Sequence, residues 1–221
     1  MDLDPITLSR GHPSPPGNPS PPPGLLKELR KREQRKRELS GFLRELGASL
    51  SGSMLEIGCG HGHWLTAYAE AHPNQLCVGI DLLNRRVLKA RAKAEKRKLA
   101  NLWFVKADAV EFVESVPEGA NIGQVMALFP DPWPKKRHHR RRLIQHEFLD
   151  LLAPRVRALG SLYFRTDHQP YFAHARETIE ANKRWQLDPG QRWPMEHRTY
   201  FQDLMAEYQS LAACRNAAEA S

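Results

Sequence analysis

The amino-acid sequence predicts an α/β fold in which a mostly parallel sheet carries helices on both faces. Three observations lead there. Five short apolar runs alternate with amphipathic segments from Ser53 onward, each run has an acid at or just beyond its end, and the first run leads into a loop of alternating glycines. Repeated strand–helix–strand succession makes crossovers that lay successive strands parallel in one sheet.

The first 24 residues hold eight of the 17 prolines, in stretches such as HPSPPGNPSPPPG. Such a segment can neither pair in a sheet nor continue a helix, so 1–24 reads as a disordered or polyproline-like tail. From Leu25 the pattern turns helical, with Leu39, Phe42, Leu43 and Leu46 at i, i+3, i+4 and i+7 behind a dense basic stretch. A basic helix is therefore expected over 25–50, docked on the core by its second half. MLEI (54–57), LCVGI (76–80), LWFVK (102–106), VMALF (125–129) and SLYFR (161–165) read as strands. Segments 63–72, 84–99, 109–115, 140–153 and 169–182 read as helices, one of which places Val87, Ala90 and Ala94 on a single face. Beyond Trp185, WQL and TYFQDLMAEYQ are expected to form a terminal hairpin against the sheet edge. The main domain is placed at 51–210 and a C-terminal tail at 211–221.

A length of 221 residues fits one such domain. The formal charge of +8 and a pI near 9.6 point to a polyanionic partner. That charge is concentrated: 135–142, KKRHHRRR, carries +6, 27–37 carries +5, and the remainder carries −3. No run approaches the roughly eighteen apolar residues that a membrane helix needs, so no membrane role is expected. Cys59, Cys77 and Cys214 show no C-x-x-C spacing, which fits a reducing cytoplasm. Asp2 and Asp4 stand where a secretory signal would carry basic residues. His61, His63, His138, His139 and His146 lack an acid or thiol at ligand spacing, so no metal is expected. No protein partner is dictated, and monomer and homodimer are both compatible with the sequence.

The chemistry converges on acids. Glu56, Asp81, Asp108, Asp131 and Asp167 stand at or just beyond the ends of the five strands. In open α/β sheets the ligand crevice lies outside those carboxyl ends. The competing reading is that each Asp merely caps the following helix. The loop LEIGCGHGH (55–63) alternates Gly58, Gly60 and Gly62, letting the backbone turn sharply and approach a ligand. A dinucleotide fingerprint requires G-x-G-x-x-G, and position 63 is His, whereas the acid about twenty residues on is present as Asp81. S-adenosylmethionine has no phosphate to cradle and does not need the third glycine. Asp108, followed by Ala109, stands where a carboxylate can accept from an adenine amino group. The most specific string is FPDPWPKKRHHRRR (129–142). It holds Asp131 between two stiff prolines, then offers Trp133 for base stacking and a basic run for phosphates, against the bland alternative of a solvated charge run.

At these residues the sequence resembles the bacterial tRNA (guanine-N7)-methyltransferases, over roughly 53–183, through LEIGCGHG, VGID, the stretch from Asn101 to Ala109, FPDPWPKKRHHRRRL and TDHQPY. The resemblance implies a Rossmann-like class I methyltransferase fold with a mostly parallel seven-stranded sheet. It implies S-adenosylmethionine as methyl donor and N7 of guanosine 46, in the tRNA variable loop, as acceptor. By motif, Glu56, Gly58, Gly60, Asp81, Asp108, Ala109 and Asp131 would bind the cofactor, with Asp131 also catalytic. Lys135 and Asp167, with Thr199 and Gln202, would bind the guanosine, and Arg137, His138, His139, Arg140, Arg141 and Arg142 would contact RNA. Two departures stand out: Gln202 occupies the place of the family's acid, and the family's N-terminal Arg-Ser-aromatic segment is missing. A methyltransferase-fold RNA-binding protein with altered substrate or lost catalysis therefore stays open. A nicotinamide-dependent oxidoreductase is disfavoured by His63 and by the absence of a Tyr-x-x-x-Lys relay.

Overall fold

The computed structural model describes residues 22–196 and 207–217. The chain enters through helix α1 (Pro23–Leu46), which Pro23 opens at the first helical position, where its missing N–H costs nothing. Strand and helix then alternate: β1 (Met54–Ile57), α2 (His63–Ala71), β2 (Cys77–Asp81), α3 (Asn84–Lys96), β3 (Leu102–Lys106), α4 (Ala109–Ser115), β4 (Ile122–Leu128), α5 (His146–Leu152), β5 (Val156–Thr166) and α6 (Gln169–Glu180). Two more strands, β6 (Trp185–Leu187) and β7 (Gln209–Arg215), complete a seven-stranded sheet of order β3-β2-β1-β4-β5-β7-β6.

Strands β1 to β5 are parallel, and β7 runs antiparallel between β5 and β6. Strands β1 and β2 are buried along their whole length, as a sheet covered on both faces requires. One cluster, including Leu55, Phe112, Leu149 and Tyr171, fills the face under α1, α4, α5 and α6. The other, including Trp64, Leu65, Ala90 and Phe104, fills the face under α2 and α3. Among the described residues no helix is long and apolar enough to cross a membrane.

The structure revises three expectations. The C-terminal boundary at 210 falls inside β7, whose Leu211 and Ala213 are core residues, so 211–215 is sheet rather than tail. The helix expected over 140–153 is two pieces: a 3-10 turn (Lys136–Arg141) and α5, separated by extended backbone at Arg142 and Gln145. The terminal hairpin becomes the pair β6 and β7, but much of TYFQDLMAEYQ, with Thr199 and Gln202, lies outside the described residues.

Helix α1 docks by its second half, burying Leu39 and Leu43, while Phe42 meets Trp103 edge-on with ring centres 5.8 Å apart. Its cations then pair with acids of α4. Arg35 Nη2 lies 2.7 Å from Glu111 Oε1 and Arg32 Nη2 2.8 Å from both oxygens of Glu114. Part of the N-terminal basic patch is thus neutralised inside the fold.

Candidate active site

The loop after β1 is shaped by glycines that serve different ends. Gly58, Gly60 and Gly62 all have positive φ, between 56° and 76°, the left-handed region where a side chain is strained. A Cβ on Gly62 would stand 2.5 Å from Cζ of Phe104 and 2.8 Å from Cβ of Ala90, so this glycine lets the loop close on α3 and β3. A Cβ on Gly58 or Gly60 would meet nothing within 4 Å, so these two leave open space at the carboxyl end of β1. The N–H groups of Gly58 and Cys59 both donate to the Ile80 carbonyl, pinning the loop to β2. Cys59 is buried, and burial, with the Glu56 and Asp81 charges adding, pushes its thiol well above the ordinary range. It is a packing residue.

Two buried carboxyls flank this loop. Asp81 is held by the loop backbone: Gly60 N–H donates to Oδ2 at 3.0 Å and Leu83 N–H to Oδ1 at 2.8 Å, with Arg86 Nη1 3.6 Å from Oδ2. Glu56 is different. It is 3% exposed, its Oε2 has no hydrogen-bond partner among the described residues, and burial, with repulsion from Asp81, pushes its pKa up to about 8. A buried unpaired carboxyl oxygen is costly unless a cation or donor meets it. S-adenosylmethionine, with a sulfonium, an ammonium and ribose hydroxyls, has groups of the kind that Glu56 Oε2 lacks. The residues therefore fit that cofactor, which Glu56 and Asp81 could hold beside the open faces of Gly58 and Gly60. Asp108 does cap α4, its Oδ1 accepting from the N–H groups of Val110 and Glu111 at 2.9 and 3.1 Å. Capping uses that oxygen only. Ala109 follows as the first residue of the helix, partly buried.

Beyond β4 the chain becomes stiff and strained. Phe129 and Trp133 take positive φ of 49° and 46°, which bulky residues keep only where surroundings impose it. Phe129 N–H is tied to the Arg165 carbonyl at 2.8 Å, and its ring meets that of Tyr208 edge-on, 5.9 Å centre to centre. Asp131 lies between these two residues, exposed at the rim. Asp167 is also exposed, just after neighbouring β5. Both carboxylates thus rise from the carboxyl ends of adjacent parallel strands. Lys135 is exposed and precedes the 3-10 turn that carries the basic run.

Within that run the six candidate RNA contacts do not share one environment. Arg137 and Arg140 are exposed, and His138 and His139 are partly buried. The Arg141 guanidinium lies over the Trp133 ring at 4.9 Å, and His138 meets the same ring edge-on, so that ring is already engaged by two neighbours. Arg142 is 4% exposed. Its Nε donates to the Pro132 carbonyl at 2.9 Å, its Nη2 sits 3.1 Å from Nε2 of His139, and its Cζ lies 4.9 Å from the centre of the Tyr171 ring. Unlike its exposed neighbours in the run, Arg142 is thus placed as an internal strut, its side chain buried and its Nε and Nη2 engaged inside the fold.

The division of charge into two patches also missed a third. From Arg85 to Lys98 the chain carries eight cations and one acid, Glu95. The signal was present in the composition, but the cations are spaced at helical period instead of forming a run.

A β3-β2-β1-β4-β5-β7-β6 sheet with β7 antiparallel, and acids at the carboxyl ends of its parallel strands, has the Rossmann-like architecture of class I methyltransferases. Solved structures agree on the fold. The antibiotic-resistance methyltransferase Kmr superposes with a TM-score of 0.56 at 18% identity, covering 80% of this chain and 94% of its own. TrmN from Thermus thermophilus superposes at 0.54 and 17% identity, over 80% and 48%. A family model described as "Putative methyltransferase" matches residues 51–218. The tRNA (guanine-N(7)-)-methyltransferase of Leifsonia xyli is 34% identical over 69% of this chain and 73% of its own. That of Halorhodospira halophila is 40% identical over 63% and 60%, and matches to further relatives of the same name span about half of their length. The chain belongs to the bacterial tRNA (guanine-N7)-methyltransferase family.

Proposed function

We propose that the protein transfers a methyl group from S-adenosylmethionine to N7 of a guanosine in tRNA, guanosine 46 of the variable loop, acting in the cytoplasm. The observation that carries the reading is the placement of Asp131: a carboxylate held between two prolines and two left-handed residues, after the strand that pairs with the one Asp167 follows, and at the root of a basic run. The names of the relatives support the choice of base and nucleic acid.

Bound S-adenosylmethionine supplies a methyl group made electrophilic by its sulfonium. Guanine N7 carries a free lone pair at neutral pH, so the chain needs no general base for the transfer. Its task is alignment, which contributes up to about 10 kcal/mol when reacting groups are held near attack geometry. Glu56 and Asp81 fix one partner behind the glycine loop. Asp131 and Asp167 fix the other, holding the base by its N–H edge or offsetting the positive charge that methylation leaves on it. Lys135, Arg137, Arg140 and Arg141 meet phosphates, which position the RNA without reading its sequence.

The test is incubation of the full chain with bulk tRNA and methyl-labelled cofactor, followed by mass spectrometry of the nucleosides. Labelled 7-methylguanosine, mapped to the variable loop, is the expected product. Label on another nucleoside, or none, overturns the reading.

A further inference from the structure

Helix α3 leaves the carboxyl end of β2 on one side of the glycine loop, whereas the Asp131 loop leaves β4 on the other, because β2 and β4 flank β1. Of the six cations of α3, three are engaged within the fold, as is Arg97 just beyond its end. Arg91 Nε donates to the Phe104 carbonyl at 2.7 Å, Lys93 Nζ to the His61 carbonyl at 2.9 Å, Arg97 pairs with Glu70, and Arg86 stands by Asp81. Arg85, Lys89 and Lys96 are exposed and have no ion-pair partner among the described residues. At positions i, i+4 and i+11 they share one narrow arc of the helix and span about 16 Å along its axis.

This arrangement works against the helix. Cations four apart, as at Arg85 and Lys89 and again at Lys89 and Lys93, repel. Arg85 also stands in a first turn that contains no acid, at the positive end of the helix dipole. A merely solvated face ordinarily interleaves acids at i+4, and Glu95 lies on a different side. The field reaches the crevice: burial holds His61 of the glycine loop below its ordinary pKa, and Lys89, Arg86, Lys93 and Arg85 add to the effect.

We propose that Arg85, Lys89 and Lys96 form a second phosphate-binding surface, on which the body of the tRNA rests across the crevice from the Lys135–Arg141 run. The proposal builds on tRNA as the substrate. Grip on both sides of the opening brings a folded RNA over it, so that one base reaches the acids between. Phosphate contacts carry no sequence information, so the surface selects for the length and shape of the RNA.

The experiment measures tRNA binding against salt for the wild type and for the triple variant Arg85→Gln, Lys89→Gln, Lys96→Gln. Three lost phosphate contacts should flatten the slope of log affinity against log salt by about two to three. S-adenosylhomocysteine affinity should stay within twofold, and a short single-stranded RNA with one guanosine should bind the variant and the wild type alike. The single charge reversal Lys89→Glu should weaken tRNA in the same direction with less change to the surface. An unchanged slope in both variants overturns the proposal and makes the face a solvated one. If the wild type still forms 7-methylguanosine in that case, the function stands without this surface, whereas absence of that product from the wild type would instead defeat the substrate reading.

Discussion

The guanidinium of Arg142 stacks 4.9 Å over the ring of Tyr171, joining the loop that carries Asp131 to the start of α6, four residues beyond Asp167. Tyr171 is itself fixed: its hydroxyl accepts from Ile144 N–H at 3.2 Å, and burial, with the Asp131 charge adding to it, pushes its pKa up to about 12. The segments that carry the two carboxylates proposed for the guanine are thus joined through a buried Arg142–Tyr171 contact. Arg142→Lys keeps the charge but loses the planar face and the Nε bond to Pro132. Turnover should fall about ten- to a hundredfold, as displacements near 1 Å at reacting groups do, with S-adenosylhomocysteine affinity unchanged by calorimetry. A fall in thermal midpoint with unaltered kcat in the folded fraction would leave Arg142 as packing alone.

Asp131→Asn preserves shape and removes charge. Single-turnover methyl transfer should drop by about a hundredfold or more, with tRNA affinity nearly unchanged, the pattern of an interaction made mainly in the transition state. Near-wild-type turnover would show that alignment suffices without the carboxylate.

Glu56 makes cofactor binding depend on pH. In the ligand-free fold its pKa stands at about 8, above the ordinary 4.5. The protonated form is favoured, so the stability this group contributes is full below pH 4.5 and is lost as pH rises through 8. A cationic ligand favours the ionised form and displaces the proton. Affinity for S-adenosylmethionine should therefore rise between pH 6 and 8, by at most about tenfold per unit for one proton released. Glu56→Gln should flatten the profile, and titration calorimetry in two buffers of different ionisation enthalpy reads the proton directly. A flat wild-type profile would place the cation elsewhere.

The α1–α4 contact should be an acid-sensitive clasp. The hydrogen bond from Arg35 holds the Glu111 carboxyl below its ordinary pKa, with the charges of Arg35, Arg32 and Lys36 adding to it. Its contribution is present above the ordinary carboxylate range and is lost as pH falls through the lowered value. Glu111→Gln should lower the thermal midpoint by a few degrees at neutral pH, with the gap to wild type closing in acid. A gap of constant size across pH 3–7 would mean that charge plays no part.

The local sequence by itself determined the alternating elements and the acids at the strand ends. Met54–Ile57 and Leu102–Lys106 fall where their apolar runs begin and stop, since a short buried run between turn residues has few other ways to satisfy both backbone and side chains. Gly58, Gly60, Glu56 and Asp81 follow from those ends, because the carboxyl rim of a parallel sheet is where its loops meet. What only the tertiary structure decided depends on residues distant in the chain. Ala213 pairs with Leu162 across some fifty positions, and no local pattern announces that β7 will be threaded between β5 and β6. Arg142 reads like its neighbours in a basic run and is buried only because Tyr171 and Pro132 close around it. Asp108 caps α4 with one oxygen and keeps the other, a choice left open by spacing alone. Which cations remain for a partner was likewise a tertiary outcome: Arg35 and Arg32 are spent on α4, while Arg85 and Lys89 have no ion-pair partner among the described residues, since pairing depends on what the fold brings within reach, whereas sequence records only how many charges there are.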